Sequence, residues 1–212
     1  MFLPSCLRRL RLHRTTVVRA LLFVAGIIFA GPFLSPLFHG AGFSCSAHST
    51  VIPLDLELSV FLKIICYNRS LPVSSSKPFR LGIVLPSGTA LKEVSELKAV
   101  AESVLSGKTL LGRAIKVSLH VLGTPIEAGA KDELDLLIMH GDGGSEFHAL
   151  PEYASKKGIM IFGTDPDHLS DGLTVVLAIV DGQPVIHLNL TAARSVKADF
   201  HANFLKHCQV HK

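Results

Sequence analysis

Two apolar runs near the C-terminus carry the clearest hydrophobic pattern in the chain. Residues 173–180 and 184–190 are rich in β-branched side chains, and Asp181 and Gly182 follow the first run. An Asp-Gly pair between two such runs indicates a β-hairpin, because glycine takes the positive φ that a tight turn demands and aspartate tolerates it. Pro184 lacks an N–H, so it should begin its strand or face an edge.

The hydrophobic period changes after Asn189. Apolar residues then recur every four positions, at Val196, Phe200, Phe204 and Cys208. This spacing predicts one apolar face of a helix. The chain is therefore expected to end as a hairpin plus a helix that covers one sheet face, with Asn189 holding the junction between them.

Upstream of the hairpin, buried-strand patterns alternate with helical ones. The predicted strands are residues 79–85, 114–121, 134–139 and 158–162, and the predicted helices are residues 54–68, 89–106 and 146–157. Strict alternation over 114–121 indicates one wet face and a place nearer an edge. Strands that alternate with helices indicate a largely parallel sheet. The sequence thus predicts a single α/β domain: a mixed, mostly parallel sheet, helices on both faces, and a C-terminal hairpin plus helix.

The first two predicted helices each have one apolar face. In the first helix, whose start also fits a strand, the face consists of Leu58, Phe61, Leu62, Ile65 and Cys66. In the second helix it consists of Leu91, Val94, Leu97, Ala101, Val104 and Leu105. Thr89 is the expected N-cap of the second helix, and Gly107 suits its end.

The N-terminal segment has the pattern of an export signal. Five arginines and no acidic residue lie in residues 1–45, and residues 20–30 form an apolar run. Residues 1–44 are therefore expected to be a secretory signal, cleaved between about Phe43 and His48, or else an uncleaved signal anchor. Either alternative places residues 45–212 outside the cytoplasm, in the periplasm, with membrane attachment only if the leader is uncleaved.

The charge of the remaining chain argues against nucleic acid as a partner. Of the 21 Lys and Arg residues, the five in the leader leave 16 against 17 Asp and Glu. The net charge of +4 is thus a property of the leader. A basic patch of the kind that phosphate binding needs is not expected in the body.

Cys6 leaves with the leader, and Cys45 leaves too if cleavage falls after that residue; Cys66 and Cys208 then remain. Cys66 lies in the first predicted helix and Cys208 at the end of the last. Export permits a disulfide between them. The other interpretation is a pair of small buried hydrophobic residues, and the sequence leaves both open.

A glycine-rich loop is the main candidate ligand site. Gly141, Asp142, Gly143, Gly144 and Ser145 follow a predicted strand and precede a predicted helix. Open α/β sheets bind ligands at such loops, and N–H groups at a helix start can hold an anion. The lysine of a phosphate-binding P-loop and the spacing of a dinucleotide-binding loop are missing, so a simple turn is the competing interpretation.

The remaining polar residues do not form a catalytic or metal-binding motif. His140 and His148 flank the glycine loop without ligand spacing, and His207 and His211 lie near a terminus. Residues 165–171 carry three aspartates and a histidine around a proline, which fits a turn. We expect no metal, no cofactor and no enzyme activity.

The order of segments resembles the YfiR-like family of exported bacterial proteins. The resemblance runs from about Leu56 to the C-terminus. The segments that carry it are residues 61–71, 79–84, 111–117, 134–138, 157–161, 171–172, 186–193 and 204–205. It implies a periplasmic α/β domain that works by binding proteins.

The resemblance also implies a kind of partner. Well-understood members of the family hold an inner-membrane diguanylate cyclase inactive through its periplasmic sensor region. The expected partner is thus a membrane sensor protein, a diguanylate cyclase or a kinase, and the expected role is regulation of cyclic-di-GMP signalling. The alternative is a periplasmic small-molecule binding module, with residues 141–145 and 165–171 at the rim of its pocket. Paired disulfides of some relatives cannot form here, because only Cys66 and Cys208 remain.

Overall fold

A computed structural model describes residues 52–73, 75–123 and 134–212. The expected leader, residues 1–44, lies outside these ranges. Within them, no helix is both long and apolar enough to cross a membrane.

The described residues form helices and strands in alternation. The α-helices are α1 (Leu54–Ile65), α2 (Leu91–Leu105), α3 (Leu150–Lys157), α4 (Leu190–Ser195) and α5 (Ala202–Leu205), with 3₁₀-helices at Gly144–Ala149 and Pro166–Leu169. The strands are β1 (Phe79–Leu85), β2 (Thr109–Leu110), β3 (Arg113–Val121), β4 (Leu136–Met139), β5 (Met160–Gly163), β6 (Val175–Val180), β7 (Gln183–Asn189) and β8 (Cys208–His211). The predicted strands and the first three predicted helices are confirmed to within a few residues.

The strands of these residues form one eight-stranded sheet in the order β2-β3-β1-β4-β5-β6-β7-β8. Neighbours from β3 to β6 are parallel, as are β7 and β8, whereas β2–β3 and β6–β7 are antiparallel. The predicted mixed, mostly parallel sheet is confirmed. Its five central parallel strands have the order of flavodoxin-like sheets, in which the first strand of the chain lies between the second and third.

Helices cover both faces of the sheet because strand side chains alternate between two cores. One core joins Leu81, Ile83, Leu136 and Ile138 to α1, α2 and the C-terminal segment. The other joins Val84, Leu137 and Met139 to Phe147, Leu150 and Ala154 at α3. Strands buried on both faces explain the continuous apolar runs in the sequence.

Arg113 joins three strands at the opposite end from the loops that follow β1 and β4. Its guanidinium donates to Lys77 O (2.9 Å), Pro78 O (2.8 Å) and Asp135 Oδ2 (2.9 Å). Asp135 Oδ2 also accepts from Arg80 N at 2.8 Å. The buried Arg113 thereby connects the start of β3 to the segments that lead into β1 and β4.

The hairpin forms as predicted. Strands β6 and β7 are antiparallel, with Val180 opposite Gln183. Asp181 and Gly182 both have positive φ, 51° and 73°. This pair of left-handed residues is the tight turn whose twist suits a hairpin.

The helix after the hairpin ends earlier than predicted. Helix α4 stops at Ser195, and Lys197 adopts a left-handed φ of 58°. Ala198 N then donates to Ala193 O at 2.8 Å, which closes the helix end. The prediction of one helix through Cys208 is wrong, since the chain turns away to pair with other segments.

Helix α2 buries less of its predicted face than expected. Ala101 and Leu105 are buried, whereas Leu91 is 88% exposed. Thr89 is not the N-cap: that position is Ala90, and Thr89 Oγ1 donates to Pro86 O instead. The apolar stripe of α2 is therefore covered at its C-terminal end and open at its N-terminal end.

The structure favours the second interpretation of the two cysteines. Cys66 and Cys208 are not bridged to each other. Cys66 Sγ donates to Leu62 O and Cys208 Sγ to Phe204 O, each at 3.3 Å. Both side chains pack against the same core, as partly buried hydrophobic residues.

Candidate functional site

The sheet has a switch point between β1 and β4. The chain leaves β1 towards α2 on one face and leaves β4 towards the Gly144–Ala149 helix on the other. Connections that diverge in this way open a crevice at the carboxyl ends of the two strands, where α/β proteins bind ligands. The structure places the predicted glycine loop on one side of this point.

A buried Glu57–His140 pair lies beneath the switch point. Glu57 is on the first turn of α1 and is fully buried, and His140 directly follows β4. His140 Nδ1 and Glu57 Oε2 are 2.6 Å apart. Glu57 Oε1 has no hydrogen-bond partner among the described residues. A buried carboxylate oxygen without a partner is uncommon and marks a place where another polar group could bind.

The pKa of Glu57 is raised above its ordinary value. Burial is the main cause, because it penalises the charged carboxylate. The hydrogen bond and charge of His140 lower the pKa in part, without cancelling the effect of burial. The carboxyl group is thus more easily protonated here than in water and can act as a hydrogen-bond donor as well as an acceptor.

Ser87 and Glu146 connect the two sides of the switch point. Ser87, in the loop after β1, donates from its N to Glu146 Oε2 at 2.9 Å and from its hydroxyl to Glu146 Oε1. These hydrogen bonds lower the pKa of the exposed Glu146. The connection fixes the loop after β1 against the 3₁₀-helix that follows β4.

The glycine loop is ordered by its own contacts. Asp142 Oδ1 accepts from Gly144 N at 3.1 Å, and Gly141 and Gly144 have positive φ. A Cβ atom on Gly143 would lie 2.4 Å from the ring of Phe147, so only glycine fits there. Because the Asp142 carboxylate already accepts from one N–H of the loop, an anion that bound here would be repelled by its negative charge. Ligand binding by residues 141–145 stays a prediction.

A second polar cluster joins two 3₁₀-helices. His148 is in the helix after β4, and His168 is in the helix after β5. Asp171 Oδ2 lies 2.5 Å from His148 Nδ1 and 2.8 Å from His168 Nδ1. Burial alone would raise the pKa of Asp171, but the hydrogen bonds from His168 and His148 outweigh it and lower this pKa.

Sequence reasoning found the segments of this site but not the contacts between them. The loop of residues 165–171 was assigned to a turn, and His140 and His148 were described only as flanking the glycine loop without ligand spacing. The structure brings His148, His168 and Asp171 together and pairs His140 with Glu57. The helical pattern of the sequence did not identify Glu57 as a site residue. A lone acidic residue on the inward face of α1 was the available signal, because such a residue needs a buried partner.

Comparison with known proteins is informative at the level of fold. No protein-family model and no curated protein matches the chain. Among solved structures, it is similar to a conserved domain protein from Vibrio cholerae, with 13% identity, a TM-score of 0.51 and coverage of 76% of this chain and 60% of that one. It is also similar to an ABC domain in complex with L-Trp from Streptococcus pneumonia, with 13% identity, a TM-score of 0.48 and coverage of 70% and 58%.

The chain thus spans about 60% of the length of the solved structures that it matches. At this level of identity, the similarity to the Vibrio cholerae protein shows a shared α/β fold.

Proposed function

We propose that this protein is an exported regulatory binding protein that binds the periplasmic region of an inner-membrane sensor protein. The sensor is a diguanylate cyclase or a kinase, and the consequence of binding is control of cyclic-di-GMP signalling. The resemblance to the YfiR-like family supports this role.

The arrangement of the resembling segments agrees with the proposal. Asn68, in the first of them, forms a β-bridge with Phe200, and Tyr67 stacks on Phe204 near the last, with ring centroids 5.3 Å apart. Asn68 Oδ1 also accepts from Asp199 N at 3.0 Å. The first and last of the segments that carry the resemblance therefore pack against each other.

The observation that carries a binding role is the open N-terminal end of α2. Leu91 is 88% exposed, and Val94 and Leu97 on the same stripe are half-buried. Exposed apolar patches mark protein contact surfaces, and Leu91, Val94 and Leu97 form such a patch along one stripe of the helix. We propose that the sensor's periplasmic region binds at this end of α2.

A deletion and complementation experiment tests the role. Deleting the gene should raise cellular cyclic-di-GMP, and the full chain should restore it, whereas a chain without residues 1–44 should not. Leu91→Asp should fail to restore the level because it places a charge in the contact. Val73→Asp is the matched control, since Val73 is 71% exposed in the loop between α1 and β1.

The proposal fails if deletion leaves cyclic-di-GMP unchanged. If deletion acts but Leu91→Asp complements as fully as Val73→Asp, the regulatory role stands and the contact at α2 is wrong. Circular dichroism of both variants shows that each one folds.

The Glu57–His140 pair favours a second candidate function, small-molecule binding at the switch point. A polar ligand could satisfy Glu57 Oε1, the buried oxygen that has no partner among the described residues. A specific ligand at 100 times its Kd would stabilise the fold by about 2.7 kcal/mol. A thermal-shift screen of small polar metabolites detects this, and a true ligand should lose its effect in Glu57→Gln.

A further inference from the structure

Three side chains from the connections that follow β4 and β5 converge beside α3. The ligating atoms of His148, His168 and Asp171 all lie within 4.8 Å of one another. Neighbouring ligand atoms in a tetrahedral zinc site are about 3.4 Å apart, because each lies about 2.1 Å from the metal. The two distances from Asp171 Oδ2, 2.5 Å to His148 Nδ1 and 2.8 Å to His168 Nδ1, are shorter than this value, so an ion would replace these two hydrogen bonds and move the ligand atoms apart.

The chemistry of the three groups suits a transition metal. Two imidazole nitrogens and one carboxylate oxygen are ligands that Zn²⁺ prefers, and three protein ligands leave a coordination position open. The His168 side chain is 6% exposed and that of Asp171 is 22% exposed, whereas that of His148 is 56% exposed. The cluster is therefore anchored on one side and accessible to an ion on the other.

A second carboxylate lies behind His168. Asp165 Oδ2 is 3.9 Å from His168 Nε2, on the opposite side of the ring from Asp171. Metal-ligating histidines commonly direct their second ring nitrogen towards a carboxylate, which selects the tautomer that ligates through the first. With the proton on Nε2, His168 would offer its Nδ1 lone pair to the metal without releasing a proton.

Packing holds the His168 ring in place. It meets the ring of the buried Phe147 edge-on, with centroids 6.0 Å apart, and the ring of His148 at 5.1 Å. The helix that carries it is tied to the hairpin by Asn189 Nδ2, which donates to Leu169 O at 2.9 Å. The ligands are thus positioned by the fold rather than by a free loop.

We propose that His148, His168 and Asp171 form a binding site for a single Zn²⁺ ion, with Asp165 as a positioning residue. The site is independent of the proposed regulatory function, and neither proposal requires the other. A bound ion would join the helix after β4 to the helix after β5.

Zinc binding to the purified, tag-free protein tests the site. After treatment with a chelator, the protein should bind one equivalent of Zn²⁺ in isothermal titration calorimetry and equilibrium dialysis. His148→Ala should weaken binding at least a hundredfold through loss of a ligand, and Asp165→Asn about tenfold through loss of orientation. The d–d absorption of bound Co²⁺ should also disappear in His148→Ala.

His211→Ala is the matched control. His187 and His211 form another close histidine pair, with Nδ1 and Nε2 3.1 Å apart. This variant should keep full zinc affinity. Because His148 is exposed, its replacement should not unfold the protein, and circular dichroism checks this.

Two results would overturn the proposal. One is the absence of zinc binding by the parent protein. The other is binding that survives His148→Ala, whether or not it is lost in His211→Ala, since the ion would then lie elsewhere.

Discussion

At the scale of single residues, Glu57 illustrates how burial changes the behaviour of a side chain. It lies on the inward face of α1, fully buried, with one oxygen bound to His140 and the other without a partner among the described residues. Its pKa is raised, chiefly by burial. The folded protein therefore binds this proton more tightly than the unfolded chain does.

This shift predicts a loss of stability with rising pH. The stabilisation from the raised pKa of Glu57 is complete below the ordinary value of 4.5 and is lost as the pH rises through the folded-state value. Glu57→Gln removes this dependence and keeps an acceptor for His140. Relative to the variant, the free energy of unfolding of the parent should fall by about 1.4 kcal/mol for each pH unit between the unfolded-state and folded-state pKa values of Glu57.

Urea unfolding of both proteins between about pH 4 and 7 measures the difference. Glu93→Gln, on the exposed side of α2, is the control, and its stability should run parallel to that of the parent. A parent that gains stability over Glu57→Gln as the pH rises would mean that the ion pair with His140 outweighs burial.

At the scale of elements, the junction between β7 and α4 depends on Asn189. Its Oδ1 caps α4 by accepting from Ala192 N at 2.9 Å, and its Nδ2 donates to Leu169 O. The expected structural role of Asn189 is therefore confirmed. The same side chain stabilises a helix start and holds the 3₁₀-helix that carries His168.

Two substitutions of Asn189 should separate these two contacts. Asn189→Ser keeps an N-cap acceptor and loses the bond to Leu169 O, whereas Asn189→Ala loses both. The alanine variant should be less stable than the serine variant by about 1 kcal/mol, the usual contribution of an N-cap. Denaturant unfolding measures this, and equal stability of the two variants would show that the cap contributes nothing.

At the scale of the whole molecule, the ends of the described chain are joined. The segment after α4 pairs with the end of α1, where His201 N donates to Tyr67 O at 2.9 Å and Arg69 N donates to Asp199 O at 2.7 Å. Strand β8 then adds to the sheet beside β7. The closure is made by hydrogen bonds and packing around Phe200 and Phe204, and it does not use a bridge between the two cysteines.

Reductant should therefore leave the unfolding midpoint unchanged. A bridge between Cys66 and Cys208 would close a loop of about 140 residues and contribute near 5 kcal/mol in the chain-entropy model. If Cys208 is a packed thiol, its replacement by serine should lower the free energy of unfolding by only about 1 kcal/mol. Burial raises the pKa of Cys208 to about 11, so its thiol should also react slowly with alkylating reagents at neutral pH.

Unfolding with and without dithiothreitol distinguishes the two states. A midpoint that falls in reductant would establish a disulfide. Cys208→Ser that is as stable as the parent would show that the packing of this side chain against the core is not needed.

The sequence by itself determined most of the helices and strands from α1 to β7. The runs at β1, β4 and β5, the Asp181–Gly182 turn and the apolar stripe of α1 are local patterns, because the period of the backbone decides which side chains share a face. The same logic failed after Ser195. There the apolar residues at four-residue spacing do face the core, but they do not lie on one continuous helix. Backbone hydrogen bonds to Tyr67 and Arg69 hold this segment against the end of α1 instead.

Only the tertiary structure decided which polar groups meet. Glu57 and His140 are 83 positions apart, and His148 and Asp171 are 23 apart. Their contacts depend on the order and register of the strands. The apolar pattern alone does not fix this order, because many strand orders would bury the same apolar residues. Packing of the whole sheet selects one arrangement, and the buried pair and the candidate zinc site exist because of that selection.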